Sequence, residues 1–164
     1  MIARDEFRPT KGVSITTLPK ITKEFAIRFE VNASSFSNVW HNLLHMTKGG
    51  NDKDHGNRIP YVGIHDGSLA ISYSVNDDDN YHKRVHINKN EWVSFEVSQT
   101  HERTGEYRYK VLMNEVEQEA FSAINEKPRD FEHVGVFASD PWHPSFDGLI
   151  RNIEICIADK HTCM

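Results

Sequence analysis

The chain has 164 residues, of which 38% are apolar, 26% charged and 10% aromatic, the makeup of a folded globular protein and not of a disordered segment. Its formal net charge of −5 argues against non-specific binding to nucleic acid and against a polybasic membrane surface. No apolar run approaches the roughly 18 residues of a membrane helix, and the length suits one domain with a sizeable core.

The N-terminal segment MIARDEFRPTKG comes first and carries no pattern of its own. It lacks the apolar core of a signal peptide. We therefore expect residues 1–12 to be a tail or cloning remnant.

Apolar and polar residues then alternate along much of the chain. In residues 24–31, EFAIRFEV, the apolar residues Phe25, Ile27, Phe29 and Val31 alternate with Glu24, Ala26, Arg28 and Glu30. This period of two predicts a strand with one buried face. About eleven strands are predicted in this way, at residues 13–18, 24–31, 39–47, 59–65, 68–75, 83–87, 91–99, 106–114, 115–121, 131–138 and 149–158.

Turn-forming segments separate these strands. They include KGGNDKDHGN at 48–57, HDGS at 65–68, VNDDDN at 75–80, HERTGE at 101–106 and SDPWHPSFDG at 139–148. Short strands with such punctuation predict an antiparallel sandwich or barrel. Residues 114–127 are ambiguous, because Val116, Ala120 and Ile124 also fit a helical spacing of four. We interpret the first half of that segment as a strand.

Two cysteines, Cys156 and Cys163, close the chain in the segment CIADKHTC. The pair could form a disulfide in an oxidising compartment or remain as two free thiols, and the sequence favours neither interpretation. His161 between them is a weak zinc signal, since a fourth ligand is missing. Asn32 begins the sequon NAS, a second weak hint of export.

The order of these motifs resembles the laminin G-like domain of the concanavalin A-like lectin and glucanase sandwich superfamily. The resemblance rests on HDGSLAISYSV, on a WVSFEV strand followed by GEYRYKVLMNE, and on DGLIRNIEI. It extends over nearly the whole chain. The implied fold is an all-β, antiparallel, two-sheet jelly-roll sandwich at residues 13–158, followed by a C-terminal tail at 159–164.

The resemblance also implies a secreted, extracellular binding module. Such domains bind glycans, extracellular glycoproteins or lipids, often around calcium. The superfamily includes glycoside hydrolases, whose paired carboxylates come from an ExDxxE strand. That motif is absent from the sequence, as are HExxH, GxSxG, GxGxxG and the P-loop. We therefore expect a protein that is not an enzyme.

A calcium site is predicted from the loop NDKDHGN and a second loop. Asp52, Asp54 and Asn57 offer oxygen ligands from one turn, and Asp140 is the candidate from the other loop. Calcium takes six to eight such oxygens. In the alternative interpretation these side chains cap turns, which Asp and Asn commonly do.

The loop SDPWHPSFDG is the main candidate for ligand binding. Pro141 and Pro144 stiffen it, Trp142 offers a flat face to a sugar, and Asp140 and His143 offer hydrogen bonds. Arg58 completes the predicted ligand-binding set. In the alternative interpretation Trp142 seals the end of the sandwich while Asp140 bonds the turn amides.

Two functional hypotheses follow from the sequence. The first is a module that binds a carbohydrate or a glycosylated partner through rim loops or a sheet face, with or without calcium. The second is an adhesion or structural domain of a larger secreted protein, which acts through protein contacts and has no small ligand.

Overall fold

The alternating segments form strands in two antiparallel sheets. The structure is a computed structural model that describes residues 3, 5–51, 54–157 and 162–163. The strands are β1 (Ser14–Ile21), β2 (Phe25–Ala33), β3 (His41–Thr47), β4 (Tyr61–His65), β5 (Ser68–Val75), β6 (Asp78–His86), β7 (Trp92–His101), β8 (Tyr107–Met113), β9 (Val116–Glu117), β10 (Ala123–Asn125), β11 (Phe131–Phe137), β12 (Gly148–Ile157) and β13 (Thr162–Cys163), and a short 3-10 helix spans Glu119–Phe121.

Strands far apart in sequence lie side by side in both sheets. The six-stranded sheet has the order β1-β11-β3-β4-β5-β6, so β1 and β6 are its edges. The seven-stranded sheet has the order β10-β8-β7-β2-β12-β13, with β9 paired to β8. All these pairings are antiparallel. The predicted all-β two-sheet sandwich is confirmed.

The apolar faces of the two sheets meet in one core. Phe29 of β2 stacks on Phe95 of β7 with ring centroids 5.6 Å apart. Tyr73 of the six-stranded sheet stacks on Tyr109 of the seven-stranded sheet at 5.2 Å, so aromatic pairs also join the layers. Offset aromatic pairs of this kind add stability beyond the area that they bury.

A bulge explains why the apolar pattern of β12 loses its alternation. Ile150 and Ile153 are both fully buried although three positions separate them, and the register with β2 shifts between Arg151 and Glu154. Asn152 supplies the extra residue and has a φ of 53°, a left-handed conformation that Asn tolerates better than most residues.

The structure differs from the predicted strand and tail boundaries at several places. Only two residues of the predicted strand 115–121 are in β9, because the chain then turns into the 3-10 helix. Ala3 and Phe7, in the predicted N-terminal tail, form backbone hydrogen bonds with Ile153 and Ile150 and pack against the core. In the predicted C-terminal tail, β13 pairs with β12.

The end of the chain is held by a disulfide between Cys156 and Cys163, so the disulfide interpretation of the cysteine pair is confirmed. The two residues face each other across β12 and β13. His161 lies outside the described residues.

None of the helical structure in the described ranges has the length and hydrophobicity needed to span a bilayer.

Candidate functional site

The loop at residues 139–147 lies over the outer face of the six-stranded sheet. Alternation along β3 and β4 points Leu44, Met46 and Val62 into the core. The side chains of His45 and Tyr61 therefore emerge on the other face, where their rings lie 5.2 Å apart. The loop is fixed to β3 by two backbone bonds, from the Asn42 amide to the Pro144 carbonyl and from the Phe146 amide to the Asn42 carbonyl.

Asp140 is the buried anchor of this loop. Its carboxylate has no solvent exposure and accepts hydrogen bonds from His45 Nδ1 at 2.7 Å and His143 Nδ1 at 3.0 Å. It also accepts the amides of Trp142 and His143, as the structural interpretation of the loop expects. Burial acts to raise the pKa of Asp140, but the hydrogen bonds from His143 and His45 outweigh it and hold that pKa well below the usual range.

His45 joins the loop to a second, distant segment of the chain. Its Nδ1 faces Asp140, and its Nε2 lies 2.6 Å from the carbonyl oxygen of Asn57. The His45 ring therefore bridges the two loops from its position on β3. Sequence reasoning missed His45, whose only signal is its position in the apolar strand HNLLHMT.

A cleft lies beside the loop, over the neighbouring strands of the same sheet. We call it the Arg58 cleft; its volume is about 220 Å³. Ala70 and Ser72 of β5 form its floor. Its walls are Trp40, Arg58, Tyr61, Asn80, His82 and His143.

The cleft brings together two of the four predicted ligand-binding residues, Arg58 and His143. Trp142 points to the other side of the loop. It is 42% exposed and borders a separate cleft of about 310 Å³ that includes Phe137 and Lys48. Asp140, the fourth predicted residue, belongs to the loop itself, and its side chain is buried.

Arg58 is held in a fixed position by neutral groups. Its Nη1 donates to Asn80 Oδ1 at 2.6 Å and its Nε donates to the Asn51 carbonyl at 3.3 Å. The guanidinium also lies over the ring of Tyr61, 4.9 Å from its centroid. Burial, followed by the charge of Asp140, raises the pKa of Tyr61 to about 12, so the phenol is neutral beneath the cation.

Trp40 forms an aromatic wall of the cleft. Arg84 of β6 lies over its indole at 4.8 Å, and the ring of His65 is 5.0 Å away. Sequence reasoning missed Trp40, Tyr61, Asn80 and His82, because nothing in the alternation shows which strands become neighbours.

The structure describes three of the four predicted calcium ligands, Asp54, Asn57 and Asp140. Asp54 is exposed, and the Asn57 carbonyl accepts from His45. Asp140 fits the role of a calcium ligand least, because four donors already engage its two oxygens. Asp52 lies outside the described residues. The calcium site stays a prediction.

Elsewhere, acidic side chains gather with arginine on the outer face of the seven-stranded sheet. Arg28 pairs with Glu96 at 2.7 Å and Glu154 at 3.1 Å, and Arg151 pairs with Glu30 at 2.9 Å. Within the described ranges, the only three His, Cys, Asp or Glu groups close enough to share a metal are Glu154, Cys156 and Cys163. The disulfide removes both thiols from such a role.

The sequence matches no protein-family model and no curated protein. Several solved structures are nevertheless similar to this chain. A native heptameric SAP-like pentraxin from Limulus polyphemus has a TM-score of 0.60 and 12% identity, covering 93% of this chain and 76% of the pentraxin chain. The ligand-binding domain of botulinum neurotoxin serotype D, solved with N-acetylneuraminic acid, has a TM-score of 0.60 and 13% identity over 92% of this chain.

Domains LG4-5 of the mouse laminin alpha1 chain have a TM-score of 0.58 and 14% identity over 93% of this chain. This chain spans 41% of the length of that laminin structure and 38% of the toxin domain. At these identities the similarity shows the fold alone. The chain therefore has the concanavalin A-like sandwich fold that its motif order resembles.

Proposed function

We propose that this chain is an extracellular, non-enzymatic binding module that holds a glycan in the Arg58 cleft. The observation that carries the proposal is the composition of the cleft. Two aromatic side chains, Trp40 and Tyr61, stand beside polar groups from Arg58, Asn80 and His143. Ligand sites typically combine apolar walls with a few convergent polar groups.

The arrangement is suited to a sugar ring. A pyranose presents C–H groups on its faces and hydroxyls around its edge, so it needs a flat apolar surface and hydrogen-bonding groups at the side. Trp40 supplies the first, and Asn80, His82 and His143 supply the second. The polar groups come from fixed elements, which limits the entropy lost on binding.

A related fold supports glycan binding, and the disulfide supports an extracellular location. The structurally similar toxin domain was solved with N-acetylneuraminic acid bound. The Cys156–Cys163 disulfide supports an extracellular location, because such bonds persist in oxidising compartments.

A glycan array tests the proposal, run with the native protein in calcium and in chelator. We expect Trp40→Ala to lower the affinity for the glycan that the native protein binds at least about tenfold, the equivalent of about 1.4 kcal/mol. Trp92→Ala is the matched control, because Trp92 lies on the seven-stranded sheet under Arg151.

The array also separates the alternatives. Blank arrays in both buffers, from protein with a cooperative melting transition, would overturn the proposal and leave the adhesion hypothesis. Binding that is unaffected by Trp40→Ala but lost in Trp142→Ala would move the site to the cleft beside Phe137.

A further inference from the structure

The Arg58 cleft has a positive charge that no carboxylate among the described residues balances. Three arginines in the described ranges are half-buried: Arg58, Arg108 and Arg151. Arg108 pairs with Glu102 and Arg151 with Glu30. Arg58 forms no ion pair with any carboxylate that the structure describes. A half-buried cation without a counterion is costly unless something else supplies the charge.

The unused N–H donors of Arg58 are available to bind an anion. A guanidinium has five N–H donors, and only two of them, on Nε and Nη1, have partners among the described residues. Both partners, the Asn51 carbonyl and the Asn80 amide, are neutral. The Tyr61 ring fixes the guanidinium plane from below. A fixed fork with unused donors is the arrangement that binds planar or tetrahedral oxyanions.

The surroundings strengthen the same field. Among the described residues, no acidic side chain lines the cleft, and Arg84 adds a second positive charge over Trp40 at its edge. The nearest buried carboxylate, Asp140, is engaged by His45 and His143. A protein with a net charge of −5 thus presents a locally positive cleft, and such a cleft concentrates anions.

We infer that the glycan bound in this cleft is acidic, with its carboxylate or sulfate on the guanidinium of Arg58 and a sugar ring against Trp40. The inference rests on the proposed function and narrows it to one class of ligand. A sialic acid, a uronic acid and a sulfated sugar all offer the same oxyanion.

Matched pairs of sugars test the inference by titration calorimetry. The pairs are sialyllactose and lactose, a uronate oligosaccharide and its carboxyl-reduced form, and a sulfated oligosaccharide and its desulfated form. We expect one acidic member to bind at least about tenfold more tightly than its neutral partner, and raised salt to weaken it. The pair that shows the preference identifies the source of the anion.

Two variants place the anion. Arg58→Gln should abolish the preference for the acidic sugar, so that the acidic sugar and its neutral partner bind with equal affinity. Arg84→Gln, at an exposed position, should reduce the preference without the risk of disturbing the loop that Arg58 holds. Arg103→Gln is the control, since it removes the same charge from an exposed turn outside the cleft.

Failure of the inference is distinguishable from failure of the proposed function. Equal affinity for the acidic and neutral members overturns the inference and leaves the glycan module standing. A preference that survives both Arg58→Gln and Arg84→Gln also overturns it. No binding to any of the six sugars contradicts the inference, and the glycan array then decides whether the proposed function survives.

Discussion

At the scale of single residues, Asp140 decides how the loop at 139–147 is held. Its hydrogen bonds to His45 and His143 stabilise the ionised carboxylate in the folded protein. The lowered pKa means that the charged form of Asp140 is more stable in the folded protein than in the unfolded chain. Its contribution to stability is therefore complete above the unfolded pKa of about 3.9 and is lost as the pH falls toward the folded value.

Asp140→Asn tests this linkage. We expect the variant to lose on the order of 2 kcal/mol of unfolding free energy at pH 7, because it replaces charge-assisted hydrogen bonds. Below about pH 4 its stability should fall less steeply with pH than that of the native protein. Urea unfolding at pH 7, 5 and 3 measures both effects. Asp66→Asn, at an exposed turn, is the control, and an equal acid slope in native protein and Asp140→Asn would contradict the role of Asp140.

Sequence could identify some residues of the site but not their grouping. Asp140 is recognisable as a turn-capping residue, since it precedes a proline and two loop amides. His143 and Arg58 were predicted as binding residues and do share a cleft. Trp40 and Asn80 could not be found, because they come from segments 40 residues apart that only the pairing of β3, β4, β5 and β6 brings together.

At the scale of elements, the bulge in β12 sets which face each later residue occupies. Because Asn152 is the extra residue, Ile153, Ile155 and Ile157 point inward after it, as Ile150 does before it. Without a bulge, the same sequence would point either Ile150 or the group Ile153, Ile155 and Ile157 into water. The pattern of β12 alone indicates an irregularity but does not say which residue absorbs it.

Two single-residue deletions test the bulge. Deleting Asn152 should keep Ile150 and Ile153 both inward in a regular strand, so we expect a melting temperature within about 6 °C of the native protein, the equivalent of about 2 kcal/mol. Deleting Glu154 shortens β12 equally but brings Ile153 next to Ile155, which forces one of them outward. We expect that variant to lose its cooperative melting transition. Equal stability of the two deletions would contradict the assignment.

At the scale of the whole molecule, alternation and turn residues predicted an antiparallel sandwich or barrel, and the resemblance to laminin G-like domains narrowed that prediction to two sheets. The long strands β2, β5, β7 and β8 follow the period-two pattern closely. The short strands β10 and β13 were missed, because two or three residues do not show a period. Sheet order was also out of reach, since neighbours such as β1 and β11 are joined by contacts across more than a hundred residues.

The disulfide acts on the whole molecule through the unfolded chain. It closes a loop of seven residues in sequence separation, and the loop-entropy estimate for so short a ring is about 2 kcal/mol. We expect the Cys156→Ser/Cys163→Ser variant to lose up to about that amount in urea unfolding. Reducing agent should destabilise the native protein by the same amount and leave the double variant unchanged. A native protein insensitive to reduction would contradict this prediction.

The two edges of the six-stranded sheet bear on how this protein behaves in a crowded solution. An open edge strand can template the pairing of another chain and so begin an aggregate. Here β1 carries Pro19, which has no amide to donate, and β6 carries the consecutive polar residues His82, Lys83 and Arg84. Edge-to-edge polymerisation is therefore blocked at both ends of the sheet, and a concentrated sample should remain dispersed without relying on its net charge.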